Sequence, residues 1–373
     1  MSRKLASIQK IVNLQPIEGA DKIELATVLG WHVVVSKTEG HKIGDLVCYI
    51  EVDSQCPETP MFDFLKERKY RVKTIKLRGQ VSQGLIIPLK ALPKGKYKEG
   101  QDITDLLGIT KYDPQAEAEA KLAEQNIKKS KNPIHKALMR YSWYRKFYNK
   151  YFNKNSKSGF PSWIAKTDED RIQTMPELFE KASKEQTLFW STEKLDGQSA
   201  TYFIERTKKF GAFPKYEFGV CSRNLRLNNS ASSSSYWTIA KNDKIEDCLI
   251  DLAKKHKAQR IVLQGEIIGT GIQGNKYHID GYNFYAFNLK IDDCLYDTGM
   301  METILSPYNI ETVPIIDDYI PLKGTIDEMV EDAKGKSLIY NTLREGKVWR
   351  TFDGGKLISF KVINPDFLLK NKE

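Results

Sequence analysis

A chain of 373 residues with 40% hydrophobic content can bury a substantial core and, at ordinary domain sizes, divide into two domains. Its 58 Lys and Arg against 48 Asp and Glu leave a net charge of +10, which favours a polyanionic partner, nucleic acid or nucleotide before anionic membrane. No apolar run reaches the about 20 residues of a membrane span, and "MSRKLASIQKIV" is broken by Gln9 and Lys10 before a signal-type core forms, so a cytoplasmic protein without a membrane partner is expected. Cys48, Cys56, Cys221, Cys248 and Cys294 form no CxxC pair, and the five histidines are dispersed. This argues against a zinc site or a Cys/His nucleophile and leaves the chemistry to Lys, Arg and carboxylates.

The first hundred residues carry short apolar runs between turn signals, "KIELATVLGWHVVVSK", "DLVCYIEV", "RVKTIKLRG" and "GLIIPL", with Gly30, Gly40, Gly44 and Pro57 between them. That rhythm predicts a small antiparallel barrel, OB-like for its length, over 1–110. In "KERKYRVKTIKLRG" bases alternate with Tyr70, Val72, Thr74 and Ile75, predicting a strand with one cationic face, either solvated or turned to phosphate. Helix formers dominate from Ala116, and residues 121–157 hold eleven Lys or Arg against the single acid Glu124. Tyr141, Trp143, Tyr144, Phe147, Tyr148, Tyr151 and Phe152 interleave with those bases, predicting a basic helical connector over 111–158. Its aromatics suit packing on a neighbour, its bases phosphate contact.

A second globular unit is expected over 159–373. Strands are predicted at "TLFW", "SATYFIE", "YEFGVCS", "IVLQGEIIG", "NFYAFNLKI", "KVWRT" and "KLISFKVI", and helices at "MPELFEKAS" and "KIEDCLIDLAKKH". The mixture lacks a repeating βα rhythm and is read as α+β.

"STEKLDGQSATYF" places Glu193, Lys194, Asp196 and Gly197 between two strands. Alone, KxDG is a weak signal. It is followed in order by "CSRNLRL" with Arg223, "LQGEIIG" with Glu266, "YNFYAFNL" with Phe287, "REGKVWR" with Glu345, and "ISFKVI" with Lys361. This order resembles the covalent nucleotidyltransferases, the polynucleotide ligases and mRNA capping enzymes. "STEKLDG", "GEIIG", "FYAFNL" and "REGKVWR" are closer to RNA than to DNA ligases, and the twelve residues after Lys361 leave no room in this sequence for a C-terminal OB domain. With an OB-like unit first and "FPSWIAKTDEDRIQ" before the ligase unit, the chain resembles the fifth family of ATP-dependent RNA ligases. The alternatives are a DNA ligase, a capping-type guanylyltransferase, or a non-catalytic OB-fold RNA-binding protein.

The resemblance implies ATP and Mg²⁺ or Mn²⁺ as cofactors, and a nicked duplex RNA or RNA/DNA hybrid with an RNA 3′-OH end as partner, in RNA repair. A monomer is expected. Lys194 would take AMP from ATP and pass it to a 5′-phosphate, after which the 3′-OH displaces AMP. Lys194, Asp196, Glu345 and Lys361 would be catalytic; Glu193, Lys194, Gly197, Arg223, Glu266, Phe287 and Lys361 would bind nucleotide; Asp196, Glu266 and Glu345 would hold metal. Phe287, alternating with Tyr285 and Leu289, would stack on adenine, leaving Phe284 for the core. Arg223 would contact ribose and phosphate, with Arg226 salt-bridged instead. A lysine with its free pKa of about 10.4 cannot attack phosphorus. Nearby cations and partial burial are expected to lower that of Lys194. Ser359 stands where several RNA ligases carry a second lysine, leaving Lys356 or Lys347 to substitute. Lys166, Asp168 and Arg171 are expected either to touch nucleotide or RNA or to pair across a domain interface.

Overall fold

The computed structural model describes residues 4–112, 138, 141, 158–207, 215–227 and 234–371. The connector expected over 111–158 lies outside these residues apart from 111, 112, 138, 141 and 158.

The N-terminal unit is a curled, five-stranded antiparallel sheet in the order Trp31–Ser36, Ile23–Val28, Ala6–Pro16, Leu46–Ile50, Leu85–Pro88. Its central strand, Ala6–Pro16, is absent from the apolar pattern because Gln9 and Lys10 interrupt it. Residues 6–10 pair with Leu46–Ile50 and residues 11–16 with Ile23–Val28, with a register shift between Ile11 and Asn13. One strand thus serves two ladders and curls the sheet around cores on both faces, Ile8, Cys48 and Ile50 on one and Ile11, Trp31 and Tyr49 on the other.

The segment read as one cationic strand is not one. Pro60–Arg68 is a 3-10 helix whose buried Phe62 and Leu65 hold it to the sheet, Lys69 and Tyr70 turn the chain through left-handed conformations, Arg71 makes an isolated antiparallel bridge to Gln55, and Ile75–Leu77 pairs with Gln80–Ser82. The alternation does survive in part. Tyr70, Val72 and Thr74 are buried, which leaves Arg71 and Lys73 on the other side.

Every strand expected in the second unit forms. A seven-stranded sheet runs Ser158–Gly159, Leu225–Leu227, Lys215–Cys221, Gln198–Thr207, Arg260–Gly269, Tyr282–Ile291, Cys294–Leu295. Helices Ser235–Asn242, Ile245–His256 and Thr298–Leu305 cover one face, with Tyr202, Leu249, Leu263 and Phe284 in the core between them. A five-stranded sheet runs Asp170–Arg171, Lys356–Ile363, Gly346–Asp353, Leu188–Lys194, Ile315–Pro321. Pro176–Glu185 and Ile326–Asp332 back it through Phe179, Met329, Trp349 and Phe360. The architecture is α+β, with two sheets whose other faces are left to build a cleft.

The two units touch closely. Gly30 donates its N–H to Gln173 O at 2.9 Å, and a Cβ there would lie 2.9 Å from Gln173 Cα, so the contact admits only glycine. The buried guanidinium of Arg171 donates to Asp53 at 2.8 Å and lies 5.6 Å from the Trp31 ring. Among the described residues no helix is long and apolar enough to cross a membrane, and all five cysteines are free thiols.

Candidate active site

Lys194 ends one sheet and Gln198 begins the other, so the Leu195–Gly197 turn is the crossover between them. Partial burial of this lysine follows from that position. Gly197 is required because a Cβ would meet Ile267 O at 2.4 Å and Glu266 Cγ at 2.9 Å. The crossover opens into a cleft of about 460 Å³, bordered by Lys194, Glu193, Asp196, Gly197, Arg223, Glu266, Phe287, Glu345 and Lys361. All nine residues singled out in the sequence therefore share one cavity.

The Lys194 ammonium donates to Glu345 Oε2 at 2.7 Å. Burial alone pulls its pKa down, but Glu345, Glu266 and Asp196 together outweigh burial and hold it above the ordinary lysine value. This corrects the expectation of a lowered pKa: the protein's own groups here are carboxylates, and they store the lysine as an ammonium. Glu266 faces the same cluster from Arg260–Gly269, where it pairs with Ser199. Burial pushes its carboxyl up to about 8, with Glu345 and Asp196 adding repulsion and Lys194 opposing them. Asp196 accepts from Lys276 Nζ at 2.5 Å, and its N–H donates to Tyr277 Oη at 2.7 Å. Glu193 is fully buried and accepts from Leu338 N at 2.8 Å, while its second oxygen has no partner; burial holds its carboxyl above the usual range against the Ser337 hydroxyl, the Leu338 N–H and Arg344.

Opposite this acid cluster stands a basic one. Asp168 is shared by Lys361 at 3.5 Å, Arg223 at 3.2 Å and Lys111, which reaches in from the N-terminal unit. Burial raises its pKa, but the three cations prevail and hold it well below the ordinary carboxylate value. Three cationic donors converging on one oxyanion form a phosphate-like setting. The acids suit a hard cation: among the described residues no three His, Cys, Asp or Glu are close enough to clasp a bare ion, and Mg²⁺-type ions instead keep several waters and use one or two carboxylates beside substrate phosphates.

Comparison with known proteins matches this geometry. A family model described as an OB-fold domain matches residues 5–89, and one described as RNA ligase matches residues 187–363. Single-substitution forms of Naegleria gruberi RNA ligase superpose along the whole chain: the one with ATP and Mn at TM-score 0.77 and 31% identity, covering 100% of both chains, and the one with AMP and Mn at 0.76 and 30%, covering 99% of both. The chain belongs to the RNA ligase family. The same ligase solved with PPi gives 0.75 and 30%, covering 100% of this chain and 99% of that one. No curated protein sequence matches the chain.

Several details of this ligase depart from the sequence reading. Phe287 lies in the cleft beside Tyr285, but Leu289 joins Phe284 and Ala286 in the opposite core. The cause is a bulge. Gly265 pairs with Ala286 and Gln264 with Asn288, so Phe287 is the unpaired extra residue and period-two alternation breaks at it. Lys347 does not substitute for a second lysine at position 359. It is buried on the other face of its strand and pairs with Asp317 and Asp332, whereas its neighbours Val348 and Arg350 border the cleft. Lys356 is exposed at a strand start and outside the cleft wall. The extra lysine at the basic cluster is Lys111. Arg226 is salt-bridged as expected, to Glu217 at 2.5 Å, and Arg171 pairs across the unit interface, one of its two expected roles, whereas Lys166 donates to Asn224 at 3.0 Å.

Sequence reasoning passed over Lys111, Lys276, Tyr277 and Arg350. The glycine-punctuated loop "GTGIQGNKYHIDG" was the available signal for Lys276 and Tyr277, since such loops approach a site closely. Alternation in "KVWR" was the signal for Arg350, buried beneath Phe287 at 5.9 Å and paired with Glu169.

Proposed function

We propose that this ligase consumes ATP and seals 3′-OH/5′-phosphate nicks in RNA through a lysyl-AMP at Lys194. The observation that carries the reading is the Lys194–Glu345 pair set in one cleft with Glu266, Asp196, Phe287, Arg223 and Lys361. The related ligase bound to ATP and Mn supports the choice of nucleotide and metal. We divide the chain into an OB-like module over 1–110, a basic connector over 111–158 and the transferase unit over 159–373.

In the first step the Lys194 amine attacks the α-phosphorus, an N–P bond forms, and the P–O bond to pyrophosphate breaks. The ammonium must first lose a proton, and the Glu345 and Asp196 carboxylates beside it oppose that loss. A divalent cation held through water by Asp196, Glu266 and Glu345 would supply the positive charge that reverses this bias. Phe287 stacks on the base, and Gly197 lets the turn approach the nucleotide. Glu193 orders the strand beneath it. Arg223 and Lys361 exchange Asp168 for phosphate oxygens, which orients the leaving group in line with the amine.

Discrimination for RNA falls on the 3′-OH strand, whose terminal 2′-OH is the group that separates RNA from DNA. Single-turnover sealing of preadenylylated nicks tests this. Fast sealing with RNA at the last one or two 3′ positions and slow sealing with DNA there is expected; equal rates would remove the RNA-specific reading.

A further inference from the structure

A second cavity, an open groove of about 490 Å³, is lined by Arg68, Lys69, Arg71, Lys73 and Lys76, with Glu67 the one acid among the described residues, and is also bordered by Leu369 of the helix Pro365–Asn371. It therefore lies where the N-terminal module meets the last helix of the transferase unit. The turn that builds it is unusual: Lys69 and Tyr70 are consecutive non-glycine residues in the left-handed region, at φ 54° and 58°. Tyr70 is buried, so the turn is held by the module's core while Arg68 and Lys69 stay exposed. Among the described residues, Arg68, Lys69 and Lys76 have no carboxylate within salt-bridge range, so their charge is not neutralised by the fold. Arg71 borders both this groove and the catalytic cleft, with its guanidinium 3.4 Å above the Tyr112 ring and its Nε buried without a partner.

We infer that this groove is the track for the phosphodiester backbone of the substrate RNA, continuing outward from the reactive end in the cleft by way of Arg71. Five cations in a concave strip against a single acid complement a polyphosphate chain, and the shared arginine fixes where the strand enters. Among the described residues no aromatic side chain lines the groove, and Arg71 alone presents a buried donor to it. The groove reads charge and not sequence. Only the identity of the polyanion rests on the RNA ligase reading.

The test uses the full-length protein and three residues outside the catalytic cleft. Arg68→Gln, Lys69→Gln and Lys76→Gln are combined, and binding to a nicked RNA duplex is followed by fluorescence anisotropy from 50 to 200 mM salt. With each phosphate contact contributing about 0.9 to the slope of log K against log salt, the slope becomes shallower by up to about 2.7, and affinity at the lowest salt falls at least about tenfold. Lysyl-AMP formation from ATP without RNA stays at the wild-type rate, which also reports a folded protein. The charge-conserving triple Arg68→Lys, Lys69→Arg, Lys76→Arg keeps affinity and slope. Unchanged affinity and slope in the Gln triple, or equal loss in the charge-conserving triple, overturns the proposal. A wild type that binds RNA through these residues yet forms no lysyl-AMP would leave the groove standing and remove the proposed activity instead.

Discussion

Replacing Gly197 with alanine probes the crossover on which the site depends. The added methyl would lie 2.4 Å from the Ile267 carbonyl oxygen, 2.8 Å from Ile268 Cγ2 and 2.9 Å from Glu266 Cγ. Ordinary contact begins near 3.4 Å, so the two strands must part by about 1 Å at a point where the nearest atom is backbone and cannot rotate away. Overpacking of this kind costs about 1–3 kcal/mol. At roughly 2–4 °C per kcal/mol for a unit of about 200 residues, the size of the transferase unit, the fall in Tm is measurable by calorimetry. The kinetic consequence is larger, because Gln198 and Ser199 pair with Ile267 and Glu266, and the shift moves the Glu266 carboxylate relative to Lys194. A 1 Å misplacement costs on the order of 100-fold in rate. Single-turnover formation of lysyl-AMP from labelled ATP measures it. A Gly197→Ala protein that melts and adenylylates like the wild type would refute the account of this glycine.

Breaking the Lys276–Asp196 pair with Lys276→Met removes one charge partner of a nearly buried carboxylate and should cost about 3–5 kcal/mol. Adding Asp196→Asn should recover most of that stability in a denaturant titration while adenylylation stays lost; recovery of both would make the pair purely structural. Glu266 titrates near 8 in the folded protein against an ordinary 4.5, so the folded state keeps a proton that the unfolded chain releases, and stability should fall as pH rises across that window. Glu266→Gln should flatten the decline in Tm between pH 5 and 8, and an unchanged slope would show that another group is responsible. Asp53→Ala removes the partner of the buried Arg171 between the units and should cost about 1.5–3 kcal/mol, with adenylylation reduced as Lys111 loses its place at Asp168. Intact adenylylation would mean that the module's position does not matter to the first step.

The chemistry was more legible in the sequence than the fold around it. Lys194, Asp196, Glu266, Glu345 and Lys361 stand out because each needs one residue type at one place, and the strands that carry them are continuous apolar runs. The central strand Ala6–Pro16 was hidden because its inward residues are separated by Gln9 and Lys10. The edge strand Ile315–Pro321 was hidden because Asp317 and Asp318 interrupt it, although Asp317 is held by Lys347 and the Ser191 hydroxyl. Phe287 was assigned to the right cavity for an incomplete reason, since nothing local announces the bulge that turns it there. Lys111 and Arg71 could not be placed at all without the fold. They are ordinary surface cations until the module is docked, and the contacts that dock it, Gly30 to Gln173 and Asp53 to Arg171, are separated by more than a hundred residues of chain.

The most direct measurement is incubation of the full-length protein with α-labelled ATP and Mg²⁺ or Mn²⁺, peptide mapping of the adduct, and a chase with a nicked RNA duplex. The label should sit on Lys194 as a phosphoramidate, move to the RNA 5′-phosphate during the chase, and be absent in Lys194→Ala. Undiminished labelling of Lys194→Ala, or a label on Lys194 that does not pass to RNA, would contradict the account.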